Sequence, residues 1–337
     1  MTLRQKLLEG IDQSSAICAE IGALDKPALD PSVPGVRFID YTDSESLRRN
    51  YALDPNVDVG KIVNVSAIWG ENTLLEALGQ KVDCIVASHV IEHVPDLITW
   101  LNEIHTSLNT DGVLRLTVPD RRFTFDFLRK ETKLSEILCS YLARARVPQP
   151  LSVLDFCLNA ATVDCSQAWR GEIDPTKLQH FFHIDGAIHL ARDVLKNGTY
   201  HDVHCWVFTP NSLASLFKQL VENDLLHFEC EWFVDTQENA LEFFVSLKPG
   251  SDKQRMIQSW QKMQDETQDR AAPTINASPE DQVTIDNLRA AISELKAIVR
   301  TKDLALTDST NQLTRVYKSR SWRITAPLRA IVRAIHG

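Results

Sequence analysis

At 337 residues the chain is long enough for one large domain and an appendage. Its 36 Lys and Arg against 45 Asp and Glu give a net charge of −9, which argues against a general nucleic-acid binder, because phosphate contacts need a basic face. No apolar run approaches the roughly 20 residues of a membrane span, and the N-terminal MTLRQKLLEGID lacks the apolar core of a signal peptide. The seven cysteines are scattered and form no C-x-x-C pair, so reduced thiols in a cytoplasmic protein are the simplest reading.

In chain order, Leu3 to Ser14 reads as a leading helix. Ile17 to Ile21 reads as a first strand ending in Glu20-Ile21-Gly22, and Val36 to Ile39 as a second ending at Asp40. Ser44 to Asn50 is a short helix with Ser44 as a plausible cap. Lys61 to Val65 reads as a brief third strand, and Thr73 to Leu78 as helix. A short apolar strand, Cys84 to Ala87, then runs into Ser88-His89-Val90-Ile91-Glu92-His93. Asp96 opens a helix with Leu97, Trp100, Leu101, Ile104 and Leu108 on its apolar side; Asp111-Gly112 stops it, and Val113 to Val118 is the next strand. Strand, helix and parallel strand form a βαβ unit of a doubly wound sheet, whose ligands sit past the carboxyl ends of the strands.

From Phe125 to Tyr200 the pattern is mainly helical, with Pro148, Pro150 and Pro175 as punctuation. Such an insertion can cover the ligand edge. Thr209-Pro210 starts a helix through Val221. Phe228 to Asp235 and Leu241 to Leu247 read as a β-hairpin across the polar turn Thr236 to Asn239. The fold class is thus α/β: a doubly wound, mostly parallel sheet with a C-terminal hairpin. The expected domains are a folded unit at 1–248 with its insertion at about 125–200, a polar linker at 249–284 around one weak helix, a coiled coil at 285–316 and a basic amphipathic tail at 317–337.

The coiled coil rests on a heptad: eight of the ten positions from Ile285 through Leu288, Ile292 and Leu295 to Val316 are apolar at alternating three and four spacing. One amphipathic helix packed on the core is the alternative. From Arg315 to the end come six Lys or Arg and no acid, interleaved with Trp322 and aliphatic residues. That composition suits an anionic membrane surface, or else an acidic protein partner. The location expected is cytoplasmic, with peripheral contact at the inner face of the membrane. A homo-oligomer is the partner expected of the coiled coil, and no nucleic acid is expected.

The segments ASHVIEHVPD and NTDGVLRLTVPD, on either side of a helix, resemble the fourth strand, fourth helix and fifth strand of class I S-adenosylmethionine-dependent methyltransferases, and the likeness runs from about Ile17 to Lys248. The resemblance implies S-adenosylmethionine as cofactor. Glu20 and Gly22 fall where the first strand meets it, although the later glycines of the family pattern are replaced by Ala23-Leu24-Asp25-Lys26-Pro27. Asp40 is placed to accept hydrogen bonds from both ribose hydroxyls; a turn aspartate that caps the next helix is the alternative. Ser66 lies where the family often has an aspartate near the adenine, and Ser88 beside the methyl donor.

His93, with His89 as the alternative, is then the candidate base that deprotonates an acceptor hydroxyl, since histidine titrates in the right range. The two are four apart and share a face on a helical turn. Arg121 and Arg122 are expected to hold a phosphate or carboxylate of the acceptor. The His-rich runs QHFFHIDGAIH and YHDVHCW, with His201 and His204, read as acceptor pocket. A zinc or iron site is the alternative there, but the spacings match no standard ligand motif, and no metal is assigned. The tail SRSWRITAPLR resembles that of bacterial enzymes and glycosyltransferases that build surface polysaccharides, which implies O-methylation of a sugar or glycan intermediate and a glycosyltransferase as the other expected partner of the coiled coil. Two rivals stand beside it: a non-catalytic scaffold with a degenerate fold, and a methyltransferase for a small molecule or lipid-linked quinone.

Overall fold

The computed structural model describes residues 3–70, 72–267 and 301. A seven-stranded sheet runs in the order β3-β2-β1-β4-β5-β7-β6. The strands are β1 (Cys18–Ile21), β2 (Arg37–Asp40), β3 (Ala67–Ile68), β4 (Val82–Ser88), β5 (Leu108–Pro119), β6 (Phe228–Val234) and β7 (Glu242–Pro249). The first five pair in parallel, while β7 pairs antiparallel with both β5 and β6. Cys84, Ile85, Val86 and Ala87 are wholly buried. A strand covered on both faces reads as a continuous apolar run, which is why β4 stands out in the sequence.

The strand order turns around at β1, which takes β2 on one side and β4 on the other. Ile21 lies opposite both Ile39 and Ala87, so the three carboxyl ends finish level. Gly22, Asp40 and the residues after Ser88 therefore meet at one crevice, the place where this sheet topology binds ligands.

One face of the sheet is covered by α3 (Leu74–Leu78), α4 (Leu97–Ser107), α9 (Pro210–Glu222) and α10 (Lys253–Glu266). On the other, α1 (Leu3–Leu7) contributes Leu7, and the β1–β2 connection supplies Ala28 and Leu29. Four further helices, α5 (Leu134–Ala143), α6 (Pro150–Asn159), α7 (Cys165–Arg170) and α8 (Ile184–Asn197), make up the insertion between β5 and α9. Among the described residues no helix is long and apolar enough to cross a membrane.

Several boundaries differ from the sequence reading, each for a local reason. The leading helix ends at Leu7 rather than Ser14. Helix α2 (Ser44–Asn50) is capped by Asp43, whose carboxylate accepts from the N–H groups of Glu45 and Ser46. The Ser44 hydroxyl instead accepts from Val65 N–H at 2.8 Å. With Val63 N–H donating to Leu24 O, the stretch Lys61 to Val65 has spent its donors off the sheet, and β3 begins only at Ala67.

Helix α4 stops at Ser107, and Asp111-Gly112 sits inside a bulge where β5 jumps from Leu108 to Val113 against β4. A Cβ on Gly112 would lie 3.0–3.1 Å from the backbone of Asn109 and Val82, so glycine is needed there.

The stretch read as a linker from residue 249 is folded through Glu266. Asp252 caps α10 by accepting from Gln254 and Arg255 N–H. Trp260 is wholly buried, donates its indole N–H to Phe228 O at 2.8 Å and meets the Phe217 ring edge-on at 5.0 Å. The expected coiled coil at 285–316 and basic tail at 317–337 lie outside the described residues. Truncating the indole leaves a large cavity, so Trp260→Ala is expected to cost about 3–5 kcal/mol in urea unfolding. A loss under about 1 kcal/mol would show that α10 contributes little to the fold.

Candidate active site

A cavity of about 1120 Å³ opens at the level carboxyl ends, with Gly22, Asp40, Trp69, His89, His93 and Asp202 in its wall. That exceeds the roughly 300–1,000 Å³ of a single small-molecule pocket and leaves room for two reactants.

Gly22 has φ +67°, and a Cβ there would stand 3.0 Å from Val90 Cγ2. Only glycine fits this turn without strain and leaves backbone facing the cavity. Asp40 ends β2 and accepts one hydrogen bond, from Tyr41 N–H at 2.8 Å. Burial pushes its carboxyl up to about 6, against the lowering pull of that bond. Its remaining acceptor capacity is available to a hydroxylated ligand.

Trp69 follows β3 and is fixed twice. Its indole N–H donates to Glu103 Oε2 at 2.8 Å, and its ring stacks on Trp100 at 6.2 Å. It gives the cavity a flat apolar wall near Asp40, the surface expected of an adenine neighbour.

Several predicted contacts are not at the cavity. Ser66 is tied to β2: Phe38 N–H donates to its hydroxyl at 3.0 Å, and the hydroxyl donates back to Phe38 O. With β3 beginning at Ala67, the residue that reaches the cavity after it is Trp69. Ser88 ends β4 half-buried, and the wall passes to His89 and Val90.

Glu20 is buried and accepts from Ala28 and Leu29 N–H at 2.9 and 2.8 Å, so its carboxylate shapes the loop behind Gly22 instead of touching a ligand. Arg122 clasps Asp120 through Nε and Nη2, and Arg121 donates to Phe127 O at 2.7 Å. Both guanidinium groups are buried parts of the fold and line no part of the cavity. His201 pairs with Asp193 at 2.9 Å, away from the cavity wall. His180, His183 and His189 are exposed.

Three histidines, His89, His93 and His204, surround one buried acid. Glu92 is wholly buried, and neither carboxylate oxygen has a hydrogen-bond partner. His89 Nδ1, His204 Nε2 and His93 Nε2 stand 3.6, 3.9 and 4.0 Å from Glu92 Oε1. Burial alone would raise the Glu92 carboxyl, but His89, His204 and His93 together hold it below its usual range.

Each ring also meets a second carboxylate with its other nitrogen. His89 Nε2 lies 2.9 Å from Glu242, His93 Nδ1 2.8 Å from Asp202, and His204 Nδ1 2.6 Å from Asp126. The His93–Asp202 contact has ion-pair distance without hydrogen-bond geometry. Burial lowers the His89 imidazole, but Glu242 and Glu92 outweigh it and push it up to about 10. His93 is likewise raised, burial being overcome by Asp202 and Glu92. His89 carries φ +53°, an uncommon backbone state for a residue with a Cβ and one that concentrates at functional sites.

Sequence reasoning missed Trp69 and Tyr200 and set Glu92 aside. The only available signal was the richness of Tyr200-His201-Asp202 in polar groups. Glu92 and His204, 112 residues apart by number, are laced together by Cys205 and Trp206 N–H donating to Glu92 O at 2.6 and 3.1 Å.

Residues 17–220 match the family described as methyltransferase domain, which is more than half of the chain. No curated protein sequence matches this chain. Among solved structures it is similar to a Rhodobacter sphaeroides protein named for zinc-dependent alcohol dehydrogenases, at 12% identity and a TM-score of 0.38, over 74% of this chain and 89% of that one. It is also similar to the CcbJ methyltransferase of Streptomyces caelestis, at 12% identity and a TM-score of 0.37, over 74% and 89%. The magnesium protoporphyrin IX methyltransferase of Synechocystis PCC 6803, solved with bound SAH, shares 9% identity at a TM-score of 0.31, over 74% and 80%. Likenesses at such TM-scores carry no argument about the chemistry here. The family match spans the whole parallel half of the sheet together with Gly22, Asp40 and the cavity they open. The chain belongs to the methyltransferase-domain family, and it is an enzyme that takes its methyl group from S-adenosylmethionine.

Proposed function

We propose that this methyltransferase modifies an oxygen atom of a sugar or glycan intermediate in surface-polysaccharide synthesis. The observation that carries the reading is a pair of exposed aromatic plates beside a carboxylate at the cavity. Tyr41 and Tyr200 stack at 6.5 Å and 25°, remain 57% and 47% exposed, and Tyr200 OH donates to Asp202 Oδ1 at 3.3 Å. A sugar presents apolar C–H faces and a rim of hydroxyls, which such plates and carboxylates complement. The resemblance of the tail SRSWRITAPLR to surface-polysaccharide enzymes supports the same class.

The residues fit the cofactor. Gly22 leaves a cradle that a side chain would fill, Asp40 offers a carboxylate to ribose hydroxyls, and Trp69 offers a flat face. When bound, S-adenosylmethionine supplies an electrophilic methyl group. What this chain must add is alignment and a place for the acceptor proton.

His89 and His93 were the expected bases, but each has both ring nitrogens turned toward carboxylates. Neither presents a free lone pair to a hydroxyl. The proton acceptor in this reading is Asp202, half-exposed at the cavity and backed by His93, which holds its carboxyl below the usual range. A weak base suffices where the proton leaves only as the new bond forms. His93 then acts through Asp202 as a positioning residue.

Asp40→Ala is expected to weaken S-adenosylmethionine binding in titration calorimetry by about 1.5–3 kcal/mol, because a charge-assisted contact is lost. The carboxylate is the accepting form and its pKa is about 6, so affinity should fall roughly tenfold from pH 7 to pH 5. Asp40→Asn should flatten that slope; an unaltered slope would assign it to another group.

Asp202→Asn is expected to lower turnover on a hydroxylated sugar acceptor by about 10²–10⁴-fold while cofactor affinity holds. Turnover near the parent's would move the proton acceptor elsewhere. Activity on quinones or other small phenols but on no sugar would replace the acceptor class.

A further inference from the structure

We infer that Glu92, His93 and His204 form a binding site for one divalent transition-metal ion of the zinc type, set behind the cavity wall. The first observation is the unpartnered acid. A buried carboxylate with no hydrogen bond on either oxygen is costly unless something positive sits against it. The three imidazole nitrogens facing Oε1 stand at 3.6–4.0 Å, beyond hydrogen-bond range. The His204 and His93 nitrogens, 3.9 and 4.0 Å from Oε1, are spaced from it as ligands that share an ion: two atoms each about 2.1 Å from one metal lie roughly 3–4 Å apart. One ligand atom each from Glu92, His93 and His204 fall within 4.8 Å of one another.

The second observation is independent of that spacing. Metal-bound histidines characteristically donate their other ring N–H to a carboxylate, which fixes the tautomer and aims the remaining lone pair. His204 has this arrangement with Asp126 at 2.6 Å, and His93 approaches it with Asp202 at 2.8 Å. Asp126 is held in turn by Arg129 at 2.8 Å, and Arg129 also donates to His204 O at 2.9 Å. His89 repeats the pattern with Glu242 at 2.9 Å and flanks the group. Outer carboxylates on every ring, all turning the inner nitrogens on one acid, are more than a chance surface cluster provides.

Two imidazoles and one carboxylate select zinc, iron(II), cobalt or nickel over magnesium and calcium, which prefer oxygen donors. The competing explanation is an ion-free network in which protonated histidines clamp Glu92. It predicts the same distances but no metal. The inference rests on the ligand geometry alone, and it stands or falls apart from the acceptor class and from the role of Asp202.

The test uses the full-length protein with any affinity tag removed. Elemental analysis of the protein as purified is expected to give about one transition-metal ion per chain. After chelation, cobalt(II) titration is expected to give visible d–d absorption that saturates at one equivalent and is displaced by zinc. Glu92→Gln and His204→Gln should each lower cobalt affinity at least 100-fold, and Asp126→Asn by about 10–100-fold. His189→Ala, on an exposed histidine, should leave it unchanged. Chelated parent protein with no cobalt absorption overturns the site, as does saturation that survives His204→Gln. The parent titration decides the matter even if Glu92→Gln does not fold. S-adenosylmethionine binding, followed in the same samples, reports separately on the cofactor crevice at Gly22 and Asp40.

Discussion

The level ending of β1, β2 and β4 is the constraint on which the site depends. Ile21 sits between Ile39 and Ala87 in the sheet, and Gly22, Asp40 and Ser88 follow at the same height. A slip of one residue in any of the three would turn Asp40 or His89 toward the opposite face. The strands resist slipping because they are buried on both sides: Cys18, Ala19, Val86 and Ala87 have no exposed surface. Register and site are therefore specified by the same apolar run.

The β1–β2 connection shows how the fold manages with one glycine at the end of β1. Residues 22–36 contain no α-helix. A loop of that length would ordinarily be mobile. Here the Glu20 carboxylate, buried under it, accepts from Ala28 and Leu29 N–H, and those residues pack with Val36 and Phe38. A charge-assisted pair of bonds thus replaces a helix as the anchor. Gly22 takes the first positive φ of the connection and Leu24, at φ +47°, the second, inside the turn that Lys26 N–H closes on Ala23 O. The departure from the spaced-glycine pattern is accommodated by the preceding acid, so the two residues form one device.

What the sequence disclosed follows the range of the forces involved. The strands, the α4 cap at Asp96 and the Thr209-Pro210 start of α9 were legible, because periodicity and capping are local. The third strand was not, because the apolar stretch Lys61 to Val65 resembles a strand while its backbone donors go to Ser44 and Leu24. Arg121 and Arg122 look like an anion clamp until the fold turns Arg122 onto Asp120 and Arg121 onto Phe127 O. Whether an arginine is a ligand or a strut depends on a partner that spacing does not reveal. Ser66 failed for the same reason, its hydroxyl being used within β2. His93 fell at the right edge, but Asp202, which governs what it can do, arrives from 109 residues further on by number.

The pairings around Glu92 join the hidden part of the site to its open face. His93 stands between two acids, with Asp202 in front at 2.8 Å and Glu92 behind at 4.0 Å. One proton on this ring cannot serve both nitrogens. If Nδ1 carries it toward Asp202, Nε2 must present a lone pair to whatever lies against Glu92, and the reverse tautomer leaves Asp202 facing a lone pair. A cation behind the wall favours the first arrangement, because it takes the Nε2 lone pair and leaves N–H for Asp202. A ring protonated on both nitrogens satisfies both acids but ties them to pH. The charge state behind His93 therefore determines how firmly Asp202 is held at the cavity. In this fold the buried polar cluster reaches the cavity wall through His89 and His93, with the Trp206 N–H groups and Arg129 keeping the two segments that carry it in place.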